Sequence, residues 1–288
     1  MHTDCGSDIG TDRTEIGALV RDWRRQRNLS QHALAAQADV STRYLSFIET
    51  GRARPSRAMV SRLSEALAVP LDGRNQMLMA AGYAPLFGER ELDDAAMKPV
   101  RHALGRILAS HEPYPAFLVD RWWNIRATNR GAGLLTTAVG GRALEPVPNL
   151  MRILLHPAGL VARLRETEEQ MWSLLGRIRH RAEQTCDEGL RDLHEEILGY
   201  LGERQDPGAA PPRDGEPLAV HRLRAADAEE LTLFSSVVTF AEPMDATVAD
   251  LSVEAFFPAD EETRVVLTRR RDRRRDPRPV TRQVNVPM

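Results

Sequence analysis

The sequence predicts two domains of different class: an all-α domain at the N-terminus and an α+β domain that follows it. Three observations lead to this prediction. Residues 29–56 contain two short amphipathic helices on either side of a three-residue turn. Residues 116–128 have the pattern of a β-hairpin. Two later runs, 230–240 and 251–257, are rich in residues that favour strands.

The helix pair is defined by its capping residues. Ser30 supplies a side-chain oxygen that can cap a helix beginning at Gln31, and Ser41 can cap a second helix over residues 42–50. The turn between them needs a residue that tolerates the left-handed backbone region, and Asp39 does so better than most. A pair of helices arranged in this way presents its second helix to the major groove of DNA.

Flanking helices complete a small bundle. Apolar stripes over residues 14–28 and 59–67 predict two of them, so that the first domain covers residues 13–82. Residues 1–12 are polar and are expected to be disordered, whereas residues 83–98 have the composition of a linker.

Residues 16–67 resemble the Xre or phage-repressor type of helix-turn-helix domain. The resemblance rests on the Ser30–Gln31 pair, Ala35, the Val40–Ser41 turn and the Glu49–Gly51 end of the second helix. The family most often has glycine at the turn position that Asp39 occupies here.

The resemblance implies binding to double-stranded DNA. It makes Gln31 a phosphate contact that also braces the second helix, and it makes Thr42, Arg43 and Phe47 the base-facing positions. The complete set of predicted contacts is Gln31, Ser41, Thr42, Arg43, Ser46, Phe47, Arg52 and Arg54, in which Ser46 and the last two arginines face phosphates. The guanidinium of Arg43 matches the two acceptors of guanine.

Charge supports this prediction by its distribution. The whole chain has a formal net charge of -2, yet the first domain is rich in arginine. A locally basic domain on a nearly neutral protein suits DNA binding. The alternative for this segment is an ordinary helical bundle with a solvated basic face.

The second domain continues from the hairpin through a short helix capped by Asn129, helices over 149–156, 164–180 and 188–202, and a loop over 206–217. This order resembles the PAS-type sensor domains, so the predicted class is a PAS-like α+β fold. Together with the helix-turn-helix, the segments 148–157 and 229–240 resemble the MmyB-like regulators, over about residues 99–268.

That resemblance implies a small apolar ligand of the fatty-acid type. The residues expected to line its pocket share strand spacing or a place at the pocket mouth: Phe117, Val119, Trp123, Ile125, Arg126, Asn129, Leu233, Val237 and Phe257. Arg126 or Asn129 would meet a carboxylate. Apolar residues at strand spacing are also the ordinary composition of a core, so both interpretations stay open.

A second function for this domain is dimerisation or partner docking without any ligand, as in an antitoxin. The length of the domain favours a sensor, because a domain of roughly 170 residues is large enough to enclose a cavity. Either way, the chain is expected to act as a bacterial homodimer on a two-fold operator. An activator would also contact RNA polymerase, although no residue marks such a patch.

Other classes of function are disfavoured. No phosphate-binding glycine loop, nucleophile elbow or paired histidine motif occurs, so we expect no catalytic residue, no metal and no cofactor. Two distant cysteines, Cys5 and Cys186, and the lack of a signal or membrane segment favour the cytoplasm. The arginine-rich segment 269–288 is expected to be a disordered tail that adds phosphate contacts or keeps the protein soluble.

Overall fold

The computed structural model describes residues 11–136, 139, 145, 147–164, 167–185, 187–201, 220–225 and 229–274. These residues form two compact units. Unit 1 contains the described residues up to Arg90 together with 183–185 and 242–249, and unit 2 contains the others. Among these described residues, none of the helices has both the length and the hydropathy that spanning a bilayer requires. The expectations for residues 1–10, Cys186, the loop 206–217 and the end of the tail lie outside the described residues.

The described residues up to Arg90 form a bundle of helices. Its elements are α1 (Thr11–Gln26), α2 (Gln31–Gln37), α3 (Thr42–Glu49), α4 (Arg57–Ala66) and α5 (Leu71–Ala80). Their apolar faces meet in one core, and Leu34, Leu45, Ile48 and Leu63 have no exposed surface. Burying each of these side chains contributes about 1.5–3 kcal/mol, so the bundle holds α2 and α3 in a fixed geometry.

Unit 2 is an α+β domain, as the sequence predicts. In chain order its elements are α6 (Lys98–Ser110), β1 (Ala116–Val119), β2 (Ile125–Thr128), α7 (Gly133–Thr136), α8 (Leu150–Leu155), α9 (Thr167–Thr185), α10 (Glu188–Leu201), β3 (Val220–Arg224), β4 (Glu230–Thr239), α11 (Ala246–Asp250), β5 (Ser252–Pro258) and α12 (Glu261–Arg274). The C-terminal end of α9, residues 183–185, and the residues of α11 that precede Asp250 belong to unit 1 by contact.

The five described strands form one antiparallel sheet in the order β2-β1-β5-β4-β3. Because side chains alternate along a strand, the sheet has two distinct faces. The helix-rich face carries Phe117, Val119, Leu231, Leu233 and Phe256, which pack with α8, α9 and α10 in the main core. The α6 face carries Ala116, Leu118 and Val253, which pack with Leu104 and Leu108 of α6.

The structure corrects the sequence prediction at two places. The edge strand β3 was missed because its sequence, VHRLR, has little apolar character. The arginine-rich segment does not begin as a disordered tail, because α12 continues through Arg274. Glu261 and Glu262 lie in its first turn and arginines follow toward its C-terminus, which is the charge order that stabilises a helix.

Candidate functional sites

The second helix of the pair, α3, is positioned by capping and by its buried face. The Ser41 side chain accepts a hydrogen bond from the backbone N–H of Tyr44 at 3.2 Å, and the Ser30 side chain caps α2 in the same way. In the turn between them Asp39 has a φ of 52°, in the left-handed region as predicted. Gly51, with a φ of 72°, ends α3.

The opposite face of α3 is accessible. Arg43 is exposed, and Thr42, Ser46 and Phe47 are half-buried. The guanidinium of Arg43 lies 5.4 Å from the centre of the Phe47 ring, in a cation–π contact between residues one helical turn apart. α3 therefore presents a planar donor beside an apolar ring. The structure thus brings the predicted base-facing residues together on one surface.

A buried carboxylate connects α3 to the rest of the bundle. Glu49 is 5% exposed and accepts two hydrogen bonds from Arg24 of α1, at 2.6 and 2.9 Å. Gln31 at the start of α2 donates a third, at 2.9 Å, to Oε2 of the same carboxylate. A third nitrogen of Arg24 donates to the carbonyl of Leu29. Glu49 thereby joins α1, α2 and α3, and Gln31 is placed as the predicted brace for α3.

The charge of Glu49 is stabilised by these partners. Burial alone would raise the pKa of Glu49, but the hydrogen bonds from Arg24 and Gln31 and the charges of Arg24 and Arg21 lower it overall. The same hydrogen bond raises the pKa of Arg24. Both groups are therefore charged at neutral pH, and each charge compensates the other.

The remaining predicted contacts separate into two kinds. Arg52 is exposed just beyond α3. Arg54 instead donates from two nitrogens to the carbonyl of Ala81, at 3.0 and 2.7 Å, and stacks over Tyr83. These bonds hold the segment after α3 against the end of α5. Arg54 therefore has a structural role that its place in the sequence did not reveal.

In unit 2 the predicted pocket residues lie in different environments. Phe117, Val119, Trp123 and Leu233 are at most 2% exposed and belong to the main core. Ile125 packs at the edge of that core. Phe257 lies on the opposite face of the sheet, where it stacks on Phe234 with ring centres 5.2 Å apart. The nine residues therefore do not line one cavity, because the register of β5 sends Phe257 away from the others.

The two residues predicted to meet a carboxylate are engaged elsewhere. Arg126 donates to Asp120 at 2.9 and 3.2 Å. The Asn129 side chain accepts from two backbone N–H groups, one of them that of Ala132 before α7, and donates to two carbonyls. Asn129 thus caps α7 as predicted, and its amide is fully used by the backbone.

Sequence reasoning missed a buried polar cluster on the helix-rich face of the sheet. Glu254 of β5 is 1% exposed, and its Oε1 accepts from Arg177 of α9 at 2.6 Å and from the indole N–H of Trp123 at 3.2 Å. Arg181, one turn along α9, lies over the Trp123 ring at 5.0 Å. A glutamate inside an apolar strand is the one sequence signal that could have indicated this cluster.

Burial shapes the ionisation of this cluster. Burial lowers the pKa of Arg181 overall, although the negative charges of Glu254, Asp250 and Asp120 act to raise it. His221 of β3 lies on the same face, and burial together with the charge of Arg177 lowers its pKa to about 4. His221 is therefore neutral at physiological pH.

A polar groove of about 270 Å³ lies elsewhere on unit 2, between the hairpin and α10. Arg152 and Glu196 form a two-bond ion pair across it, with both distances 2.7 Å, and Tyr200 donates to the same carboxylate. Burial and this hydrogen bond raise the pKa of Tyr200 to about 12. Arg152 and Glu196 satisfy each other, which favours a structural role for this pair.

Comparison with known families matches two models to this chain. Residues 100–269 match the MmyB-like transcription regulator ligand binding domain, which is more than half of the chain. Residues 20–73 match a helix-turn-helix model. The two matches fall on the α+β domain and on the helical bundle that contains α2 and α3.

Similar individual proteins cover a smaller part of the chain. An ImmF control region 10 kDa protein of Bacillus phage phi105 is 39% identical over 21% of this chain and 66% of its own length. An uncharacterized HTH-type transcriptional regulator of Mycobacterium bovis is 35% identical over 24% of this chain and 27% of its own. The crystal structure of the clp gene regulator ClgR from C. glutamicum is 28% identical, covers 25% of this chain and 88% of its own, and has a TM-score of 0.22. The chain thus spans less than two thirds of the length of these two curated relatives.

Proposed function

Because this chain belongs to the MmyB-like transcription regulators, we propose that it binds specific DNA sequences through α3 and adjusts that binding to a small apolar molecule held by unit 2. The observation that supports the DNA-binding half is the accessible face of α3, a helix held in place by the Glu49 contacts to α1 and α2. A recognition helix must be fixed in this way before its side chains can discriminate bases.

The pair of Arg43 and Phe47 suggests what α3 reads. The guanidinium fork of Arg43 can donate to the O6 and N7 atoms of guanine, and an aromatic ring beside it can contact the methyl group of thymine. Thr42 and Ser46 complete the surface, and Gln31, Ser41 and Arg52 would contact phosphates or position the helix. Arg54 is exposed and has N–H donors beyond those that bind the carbonyl of Ala81, so it would also contact a phosphate.

The DNA-binding half is tested by comparing Arg43→Ala with Arg52→Ala on an operator selected from random DNA, at fixed salt. Arg43→Ala should lose about 1–3 kcal/mol of discrimination at one base pair. Arg52→Ala, the matched control, should weaken all sequences about equally and reduce the salt dependence. Base preference that survives Arg43→Ala unchanged would show that another residue reads the operator.

For unit 2 we propose a sensor of a small apolar molecule with an acyl-like chain, the fatty-acid type that the family resemblance implies. The enclosure of one face of the sheet by α8, α9 and α10 supports a site for such a chain. As a homodimer, the protein would place two recognition helices on half-sites roughly 34 Å apart, and the ligand would change affinity by altering their geometry.

Native mass spectrometry of the purified full chain, followed by organic extraction, tests the sensor. A co-purifying apolar molecule that dissociates from unit 2 is the expected result. A clean mass that added lipids do not change would favour the alternative of a dimerisation or partner-docking domain.

A further inference from the structure

The connection between β4 and β5 belongs to unit 1, although both strands belong to unit 2. Residues 242–249 of this connection are part of unit 1. The strand pair that they close ends at Thr239 and begins again at Ser252, which lie opposite each other. β5 is the middle strand of the sheet, so β4 and β5 are at its centre. A change in the position of these two strands is therefore passed to residues 242–249 through the chain itself.

Asp245 fixes this connection within unit 1. The Asp245 side chain is buried, and its Oδ2 accepts a hydrogen bond from Arg90 at 3.0 Å. Its Oδ1 accepts from the backbone N–H of Thr247 at 3.0 Å, at the start of α11. The backbone adds a second contact, since the N–H of Ala246 donates to the carbonyl of Gly88 at 2.7 Å. One carboxylate oxygen therefore begins α11, and the other binds the segment that follows the helical bundle.

The segment that binds Asp245 is in turn held by α5. Asn75 of α5 has no exposed surface. Its side-chain oxygen accepts from the backbone N–H groups of Leu86 and Phe87, both at 3.0 Å, and its amide donates to the carbonyl of Phe87 and to Glu89. A buried side chain that uses its oxygen and its amide in this way holds the segment firmly. Hydrogen bonds therefore connect α5, by way of this segment, to the β4–β5 connection.

Gly88 allows the close approach of Asp245. A Cβ at position 88 would lie 2.5 Å from Oδ2 of Asp245 and 2.8 Å from Nη1 of Arg90. Both distances are shorter than van der Waals contact, so a side chain at this position would push the ion pair apart. The Arg90 side chain is 51% exposed and can move into solvent when it is displaced. A single methyl group at position 88 should therefore break the ion pair without requiring the backbone to move.

We propose that the contact of Asp245 with Gly88 and Arg90 transmits ligand binding in unit 2 to the recognition helix α3. A rearrangement of β4 and β5 moves Asp245, and Asp245 moves the segment that Asn75 holds on α5. α5 packs on α1, and α1 packs on α3. This inference rests on the proposed function and specifies how the sensor regulates DNA binding. Coupling between two sites is reciprocal, so DNA bound to unit 1 should also restrict β4 and β5.

The reciprocal effect is measured by hydrogen–deuterium exchange of the full chain, with and without operator DNA selected from random sequences. Opening the end of the β4–β5 pair moves Asp245, and unit 1 resists this movement more strongly when it is bound to DNA. Exchange of the backbone amides of residues 236–239 and 252–255 should therefore slow by about fivefold or more when DNA binds. Mass spectrometry of peptides from these two segments gives the rates.

Two variants break the contact in different ways. Asp245→Asn keeps an oxygen that can begin α11 but replaces the acceptor of Arg90 with an amide NH₂, and Gly88→Ala displaces the ion pair by its Cβ. Both variants should still bind the operator, while the slowing of exchange should fall below about twofold. Glu242→Gln, at an exposed position of the same connection, and Gly199→Ala, at an exposed position of α10 with open space around it, are the matched controls. Both controls should retain the full slowing.

The outcomes separate the inference from the proposed function. Operator binding without slower exchange in β4 and β5 overturns the coupling, while DNA binding by α3 stands. Slowing that survives in both Asp245→Asn and Gly88→Ala also overturns it, and assigns the coupling to another element such as the C-terminal end of α9, which belongs to unit 1 as well. If no operator can be selected, the proposed DNA binding fails and the inference fails with it. Native mass spectrometry tests the ligand separately.

Discussion

At the scale of single residues, buried charges are the most consequential features of both units. Glu49 receives three hydrogen bonds from two helices, and Glu254 receives two, from α9 and from the hairpin. The two carboxylates differ in how many of their oxygens accept a hydrogen bond. The Glu49 carboxylate uses both oxygens within the bundle, whereas Oε2 of Glu254 is left without a partner among the described residues. The first carboxylate therefore holds the bundle together, whereas the second keeps one buried oxygen without a hydrogen bond among the described residues.

Replacing Glu49 should destabilise the DNA-binding unit. Glu49→Gln removes the charge that compensates Arg24, whose side chain is 12% exposed, and should lower the free energy of unfolding by about 3 kcal/mol. Chemical denaturation followed by circular dichroism measures this change. Glu65→Gln is the control, because the Glu65 side chain is 65% exposed and its contact with Arg74 spans 3.9 Å. Equal stability of both variants would contradict the role assigned to Glu49.

At the scale of elements, the geometry of the helix-turn-helix depends on a few backbone positions outside the helices. Asp39 and Gly51 both have positive φ. Asp39 lies in the turn before α3, and Gly51 follows the end of α3. A residue with a Cβ at such a position costs about 1–2 kcal/mol relative to glycine. The turn before α3 is therefore slightly strained at Asp39, and replacing Asp39 with glycine should remove this strain.

Substitutions at Asp39 should show this strain. Asp39→Gly should raise the free energy of unfolding by about 0.5–1 kcal/mol, since glycine adopts a φ of 52° without a steric cost. Asp39→Ala should lower it by a similar amount, because alanine tolerates the left-handed backbone region less well than aspartate. Thermal unfolding of the three proteins in parallel gives the ranking. A more stable alanine variant would be inconsistent with the left-handed turn.

At the scale of the whole molecule, the two units respond to acid over different ranges. In unit 1, Glu49 has a pKa below its usual 4.5, so its contribution is present above that value and is lost only at lower pH. In unit 2, His221 has a pKa of about 4 instead of 6.5. The unfolded chain therefore takes up a proton at His221 below pH 6.5 while the folded chain does not, and stability is lost as the pH falls from 6.5 to 4.

The titration of His221 should destabilise unit 2 by about 3 kcal/mol between these pH values. His221→Phe removes the titrating group and keeps an aromatic ring beside Phe256, so the unfolding of unit 2 should become less sensitive to pH in this range. Thermal unfolding at a series of pH values, observed by tryptophan fluorescence, measures the effect. His102→Phe, at an exposed position on α6, should retain the pH profile of the native chain.

The sequence by itself determined the helix-turn-helix and the class of both domains. Ser30, Ser41 and Asp39 act on backbone groups within a few residues of themselves, so their effect is visible in a local pattern. The outward position of Arg43 and Phe47 followed from helical periodicity alone. The strands β1, β2, β4 and β5 were likewise evident from their composition, although the short polar strand β3 was not.

Only the tertiary structure decided which residues share a site. The partners of Glu49 are 25 and 18 positions away in the chain, and those of Glu254 are 77 and 131 positions away. The face on which Phe257 lies depends on strand register, since a shift of one residue exchanges the two faces of a sheet. Local propensity carries no information about such pairings. The polar cluster around Glu254 therefore became visible only when the hairpin, β5 and α9 were packed together.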